Sequence, residues 1–519
     1  MTVRATALLL GLVAGSVFAQ GRPDENTLFG APADAGAPTP PTPAIPSVIP
    51  DAQASPDRNT AAGEQQILTG SPAQDAFASG LVKEDALKIG GQFYMRAITT
   101  ISEHQPIGKS SFDVPTLLDV YLDARPTDRL RAFVLGRLVY DPLLSSTALV
   151  TGVPSSVTAG LQEVSNPAVY LDQAWLAFDI AHSAFVTAGR QHVKWGTGQY
   201  FNPDDFLASQ PRDPLAVFDA RLGVSMLRVQ IPWERTGLSF TAVAVFEPTQ
   251  NISTTGTSVA TSGGSVDLIS GSQNTSNGLL EDVGGAGQIE YDFRGGAVGV
   301  NALAQKNRAW RVGAYTTAGI GDFDVYGEAV VKQQLDLPAP SNVVVAGTYS
   351  GYPFGSVYQP SAPLFQGVAG VSYGINFEGN KSITLGAEYF FNSASFKPAN
   401  YPNLIFQGAY QPFYLGRNYL TISATLTDTT AKTTWVLTNI GNLTDVSFIT
   451  RVDLLVTVLS YLQVEAFTAV DYGHLGGEFR LAFDILNLPI NAGGTEPVPI
   501  HVVVHAPIVQ LGLGLRLAI

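Results

Sequence analysis

The chain has no cysteine. Disulfides, thiolate metal centres and cysteine nucleophiles are therefore excluded, and so is a lipid anchor on a mature N-terminal cysteine. Histidine is scarce too. The six histidines, His104, His182, His192, His474, His501 and His505, sit in no recognisable catalytic motif. His501 and His505 share a face if they lie on a strand, but that spacing is about 13 Å, too wide for one metal. No phosphate-cradling glycine loop is present. No cofactor, no metal and no enzymatic activity are expected. Charged residues make up only 14 % of the chain, against roughly 25 % in ordinary soluble domains. The net charge of −14 argues against a nucleic-acid partner, which needs basic patches. Beyond the N-terminus no run approaches the ~18 continuous apolar residues of a membrane helix.

The first residues do carry one apolar run. Arg4 precedes Ala5 to Val13, centred on Leu8, Leu9 and Leu10, and Val17-Phe18-Ala19 supplies a cleavage pattern. Residues 1–19 read as a secretory signal peptide, too short to be a comfortable membrane span. Residues 20–86 form a Pro/Ala-rich arm. Pro38, Pro40, Pro41, Pro43, Pro46, Pro50 and Pro56 keep its first half out of helices and sheet interiors. The arm is expected to be largely disordered and periplasmic, serving as a tether or as a handle for a periplasmic or cell-wall partner.

From Leu87 onward the dominant signal is period-2 alternation in segments of about ten residues. Between Arg129 and Tyr140, Leu130, Ala132, Val134, Gly136, Leu138 and Tyr140 point one way. Arg129, Arg131, Phe133, Leu135 and Arg137 point the other. Ile289, Tyr291 and Phe293 likewise oppose Gln288, Glu290, Asp292 and Arg294. Ile383, Leu385, Ala387, Tyr389 and Phe391 oppose Thr384, Gly386 and Glu388. Leu420, Ile422, Ala424 and Leu426 oppose Arg417, Tyr419, Thr421, Ser423 and Thr425. Phe479, Leu481, Phe483 and Ile485 oppose Glu478, Arg480 and Asp484.

Short turns near 125–128, 181–183, 232–236, 294–296, 319–321, 379–381, 429–431 and 459–461 alternate, through most of the chain, with long polar loops. These lie near 102–114, 141–167, 195–220, 248–283, 334–365 and 393–415. The pattern predicts an all-β fold. The expected architecture is a single antiparallel transmembrane β-barrel of about 16–18 strands over 87–519, with short periplasmic turns and long external loops. Only helices and closed barrels satisfy their backbone polar groups in lipid. The raw strand count is odd near Pro497 to Pro507, whereas a single-chain bacterial barrel has an even number. A soluble sandwich or solenoid is the alternative, and it does not explain apolar outward faces with charged inward ones.

The last segment sets Val509, Leu511, Leu513, Leu515, Leu517 and Ile519 against Gln510, Gly512, Gly514 and Arg516. It resembles the C-terminal strand of Gram-negative outer-membrane proteins, apart from Ile519, where an aromatic residue is usual. That resemblance implies the barrel-assembly machinery as a partner during biogenesis. Gly189-Arg190-Gln191, Trp195-Gly196, Asn202-Pro203-Asp204-Asp205 and Arg212-Asp213-Pro214 form the most distinctive stretch. It resembles a strand-to-loop passage in poorly characterised, porin-like proteobacterial outer-membrane barrels. The resemblance implies the fold and an outer-membrane location, and more weakly a channel.

If charges line a lumen, the candidates on inward faces are Asp119, Asp123, Arg125, Arg129, Arg131, Arg137, Arg190, His192, Lys194, Glu290, Asp292, Arg311, Glu388 and Arg417. They either bias ion traffic across a pore or only pair with each other and brace the wall. Asp204, Asp205, Arg212 and Asp213 mark a charge-rich loop that either narrows the pore or lies on the surface. Trp195 suits an interfacial aromatic belt.

Two functions fit these features. One is an outer-membrane porin-like channel for small polar solutes or ions, in contact with membrane lipid and lipopolysaccharide. The other is a non-channel surface or anchoring protein, an adhesin or envelope tether, using the long loops or the N-terminal arm.

Overall fold

A computed structural model describes residues 87–127, 129–143, 167–181, 183–208, 211–216, 221–233, 235–247, 280–306, 308–333, 348–349, 352–353, 362–377, 380–406, 410–490 and 498–518. The signal peptide and the arm lie outside the described residues.

Alternation makes each segment a strand, and neighbours in sequence pair antiparallel to build an 18-stranded wall. The wall strands are β1 (Leu87–Ser102), β2 (Thr116–Thr127), β3 (Leu130–Tyr140), β4 (Ala168–Ile180), β5 (Ala184–Gln191) and β6 (Val224–Trp233). They continue with β7 (Leu238–Val245), β8 (Gly284–Phe293), β9 (Gly296–Gln305), β10 (Arg308–Ile320), β11 (Phe323–Lys332) and β12 (Leu364–Phe377). The rest are β13 (Lys381–Asn392), β14 (Asn418–Asp428), β15 (Thr433–Asn442), β16 (Ser447–Leu459), β17 (Leu462–Gly473) and β18 (Pro507–Ala518). The ladder from Gln92↔Ala518 to Ile101↔Val509 joins β1 to β18 and closes the barrel, so the wall itself has no open edge.

All the short turns expected from the sequence lie at one end, together with Leu87 and Ala518. The strand ends that the long connections join lie at the other end, where 443–446 is a short exception.

The odd strand count resolves in the last loop. Glu478–Arg480 is a 3-10 turn and not the start of a wall strand, and Phe483–Ile490 pairs with Val498–Val504 as a separate hairpin. Phe479 is fully buried, because its apolar face packs inside the barrel mouth.

The two faces differ as alternation demands. Outward positions such as Val120, Val134, Val300, Ile422 and Leu513 are exposed and apolar. Two aromatic rings border this band. Trp233, Phe293, Phe323, Phe377, Trp435 and Tyr461 lie toward the turn end, and Phe112, Tyr140, Trp310, Phe365 and Tyr472 toward the loop end. Inward positions are polar and mostly buried: Asp119, Arg137, Glu328, Glu388, Arg451, Glu465 and Gln510 among them.

Candidate functional site: an inward loop and the charged wall it faces

The connection between β5 and β6, described at 192–208, 211–216 and 221–223, turns into the barrel instead of outward. Gly196 makes the turn possible with φ of +80°, a conformation that side-chain-bearing residues rarely adopt. Asn202 then donates from Nδ2 to the Trp195 carbonyl at 2.8 Å, closing a compact loop. Trp195 is consequently buried and packs edge-on against Phe206, ring centroids 6.4 Å apart. It belongs to the internal core and not to the outer aromatic belt, because the loop carries it inward.

Two wall carboxylates hold the loop by its backbone. Glu328 on β11 accepts the amide hydrogens of Thr197 and Gly198. Glu388 on β13 accepts those of Gln199 at 2.8 Å, Tyr200 at 3.2 Å and Phe201 at 2.7 Å, and the Tyr326 hydroxyl at 2.7 Å. Amides in an irregular loop have no ladder partner, and buried ones must find an acceptor. Phe201 then stacks on Phe390 at 4.6 Å between centroids, and Tyr419 lies 5.2 Å away. Further along, Arg451 on β16 donates to the Leu215 carbonyl at 3.1 Å, and Tyr414 donates to that of Arg212 at 2.9 Å.

The four loop candidates are all inside this arrangement. Asp204 accepts from Asn301 on β9 at 3.0 Å. Asp205 pairs with Arg221 at 2.9 Å. Arg212 reaches the Gly198 carbonyl at 3.4 Å. Asp213 accepts the Leu215 amide at 2.8 Å. Burial pushes the Asp204 carboxyl up to about 7; the Asn301 hydrogen bond opposes this and the Asp205 charge adds to it.

The wall from β2 to β4 carries a charge ladder. Asp119 and Arg137 are register partners, and Arg137 binds Asp119 through Nε at 2.9 Å and Asp172 through Nη2 at 3.1 Å. Asp172 reaches the interior because it is the extra residue of a bulge: Leu135 pairs with Gln173 and Gly136 with Leu171. His192 Nε2 lies 2.9 Å from Asp172, and the Gly223 amide donates to it at 2.9 Å, so both ends of the loop meet at this carboxylate. Arg131 binds Asp123 at 2.8 Å and Arg125 approaches it at 3.4 Å. Arg131 remains 15 % exposed and Arg125 34 %. A second buried network links Arg96, Glu465, Arg451 and Asp453, and the Tyr94 hydroxyl donates to Glu465 at 2.9 Å.

Other candidates divide. Glu290 faces inward and holds the Tyr315 hydroxyl. Arg311 faces inward, its guanidinium 5.9 Å from the Phe206 ring. Asp292 is exposed on the same register as Glu290, near the turn end, and Lys194 is half-buried in the loop.

Three candidates do not line the interior. Arg129 is exposed in the turn before β3, because the strand starts one residue later. Arg190 shares the outer face with Ala174 and Ser225 and pairs with Glu247 at 2.6 Å. Arg417 precedes β14 at the rim and lies over the outward ring of Phe391 at 5.4 Å. Beyond the apolar band, charged side chains occur on the outer face as well, so a charge there no longer marks the inner face.

Sequence reasoning missed Glu328 and Asp172. Glu328 had a visible signal, a polar face of Asp324, Glu328 and Lys332 in an otherwise apolar strand. Asp172 had none, since the bulge breaks the parity that identifies a face.

No protein-family model matches the chain, and no curated protein matches it. Its structure is similar to OccAB1 of Acinetobacter baumannii, with 11 % identity over 84 % of this chain and 97 % of that one, TM-score 0.47. It is similar to OprB of Pseudomonas putida, with 9 % identity over 86 % and 96 %, TM-score 0.42. It is also similar to Wzi, a carbohydrate-binding β-barrel involved in group 1 capsule assembly in Escherichia coli, with 11 % identity over 82 % and 84 %, TM-score 0.42.

Proposed function

We propose that this chain is an outer-membrane channel through which small polar solutes or ions diffuse, narrowed from within by the loop 192–223. The apolar band between two aromatic rings suits a lipid bilayer, with the short turns on the periplasmic side. A closed wall of 18 strands is wide enough to leave an aqueous lumen.

The observation that carries the reading is the loop itself. Its anchors, Glu328, Glu388, Asn301 and Arg451, lie on β9 to β16. The wall from β2 to β4 opposite these anchors keeps partly exposed arginines, Arg125 and Arg131. A passage between loop and arginine wall would therefore be polar and narrow. A surface anchor has no need of a charged interior partitioned in this way.

The test is single-channel recording of the refolded chain in planar bilayers, for the natural protein and for a deletion of 198–214. Discrete conductance that rises on deletion supports the reading. A natural protein without conductance would overturn it and favour the surface or anchoring role.

A further inference from the structure

Beside the loop lies a cluster of buried side-chain oxygens, four of which lack a hydrogen-bond partner among the described residues. Asp204 and Glu328 are both buried, and neither is paired with a lysine or arginine among the described residues. Asp204 Oδ1, Glu328 Oε2, Asn202 Oδ1 and Asn301 Oδ1 each have no hydrogen-bond partner among the described residues. Asn202 is 7 % exposed and Asn301 3 %. Their amide orientations are fixed, because Nδ2 of Asn202 donates to Trp195 and Nδ2 of Asn301 donates to Asp204. Both carbonyl oxygens are left facing the carboxylates.

Two glycines make room for this cluster. The position a side chain would take on Gly196 lies no more than 2.6 Å from Asn202 Oδ1 and Glu328 Oε1, and 3.0 Å from Asp204 Cβ. The corresponding position on Gly313 lies no more than 2.6 Å from Asp204 Oδ1 and Asn301 Oδ1.

We propose that Asp204, Glu328, Asn202 and Asn301 form a site for a hard divalent cation, calcium in preference to magnesium, that rivets the inward loop to β9 and β11. Two buried carboxylates without a counter-charge are costly; a divalent cation neutralises both. Carboxylate and amide carbonyl oxygens are the donors calcium takes, with water completing its shell, whereas magnesium resists giving up its waters to a protein cage. No cluster of three His, Cys, Asp or Glu that could hold a metal occurs among the described residues. Half of this donor set is amide oxygen. The site goes beyond the channel reading and does not depend on it, since a loop fixed by a cation could equally close the barrel.

The full-length chain, refolded in detergent and stripped with EGTA, is titrated with Ca²⁺ and Mg²⁺ by calorimetry. Saturable binding of one Ca²⁺, at least ~10-fold tighter than Mg²⁺, supports the site. Asn301→Leu and Asp204→Asn should each weaken it by at least ~10-fold, while Asp324→Asn, an exposed acid elsewhere, leaves it unchanged. Terbium provides a second measurement that spares the ligands. Trp195 adjoins Gly196, so Tb³⁺ emission excited through tryptophan should appear in the natural protein, fall with added Ca²⁺ and vanish in Trp195→Phe. Absence of saturable Ca²⁺ binding to the natural protein, equal binding by Asp324→Asn and Asn301→Leu, or undiminished Tb³⁺ emission in Trp195→Phe would each overturn the proposal. In the first case a shared proton holds the two carboxylates.

Discussion

Glu388 accepts the amide hydrogen of Phe201 at 2.7 Å, across 187 residues of chain. The same carboxylate also takes the amides of Gln199 and Tyr200 and the Tyr326 hydroxyl. In Glu388→Ala these donors lose their acceptor in a buried place. Hydrogen bonds to a charged group contribute about 1.5–3 kcal/mol each. The loop tip should therefore detach while the wall ladder survives. The expected result is larger and noisier single-channel conductance with unchanged circular dichroism. Glu388→Gln keeps one acceptor oxygen and should fall between. A Glu388→Ala channel identical to the natural one would show that this contact does not set the aperture.

Arg137 is the hub of the second network. It is 2 % exposed and sits between Asp119 and Asp172. Arg137→Met removes the guanidinium that bridges the two acids and leaves them buried, a change that costs about 3–5 kcal/mol when a buried pair is broken. The urea midpoint of the refolded barrel should drop accordingly. Asp119→Asn keeps a hydrogen-bond acceptor and should cost less. If Arg137→Met unfolds at the natural midpoint, the network is not contributing to stability.

Glu478 gives the stability its sign with pH. Burial pushes its carboxyl up to about 8; the neighbouring Asp445 charge adds, and the Tyr419, Asn442 and Phe413 hydrogen bonds oppose. The folded protein thus retains a proton that the unfolded chain has lost above roughly 4.5, near the ordinary value for glutamate. Between that value and about 8, folded chain binds more protons than unfolded chain, so stability falls as pH rises. Urea midpoints measured across this range should decline with increasing pH. Glu478→Gln should flatten the decline, and an unaltered slope would place its origin elsewhere.

Gly313 offers a steric test. A Cβ there would occupy space held by Asp204 Oδ1 and Asn301 Oδ1, 2.6 Å or less away. Gly313→Ala should push the Asp204 segment off the wall, raising conductance and exposing the loop to added protease, while β10 keeps its ladder.

The wall was legible in sequence because strand geometry is simple. Side chains alternate, and an apolar outer face with polar groups inside makes the alternation visible, as from Leu130 to Tyr140. The turns were legible for the same reason, since alternation stops at each of them. The rule failed where one of its conditions lapsed. Arg190 and Arg417 stand above the apolar band, Asp172 sits on a bulge, and Phe479 packs in the mouth. The site was legible only in part. Asn202-Pro203 and Asp213-Pro214 mark turns, but the inward direction depends on acceptors at Glu328 and Glu388, far away in sequence. One chain of letters does not display that convergence.

Arg131 should set charge preference. It faces the interior on β3, binds Asp123 at 2.8 Å, lies 5.3 Å from the Trp175 ring and keeps 15 % exposure. Unlike Arg137, it therefore reaches any solution that fills the passage. Its removal also leaves Asp123 with the longer contact to Arg125 at 3.4 Å among the described residues. Both changes make the passage more negative. Arg131→Ala should shift the reversal potential toward cations in a salt gradient, by a roughly two- to fivefold change in permeability ratio, as expected when a lining charge is lost. The effect should shrink at 1 M salt, where screening acts within about 3 Å. Arg129→Ala is the control, because that residue sits exposed in the turn. If Arg129→Ala moves the reversal potential as much as Arg131→Ala does, the ions do not pass along the arginine wall.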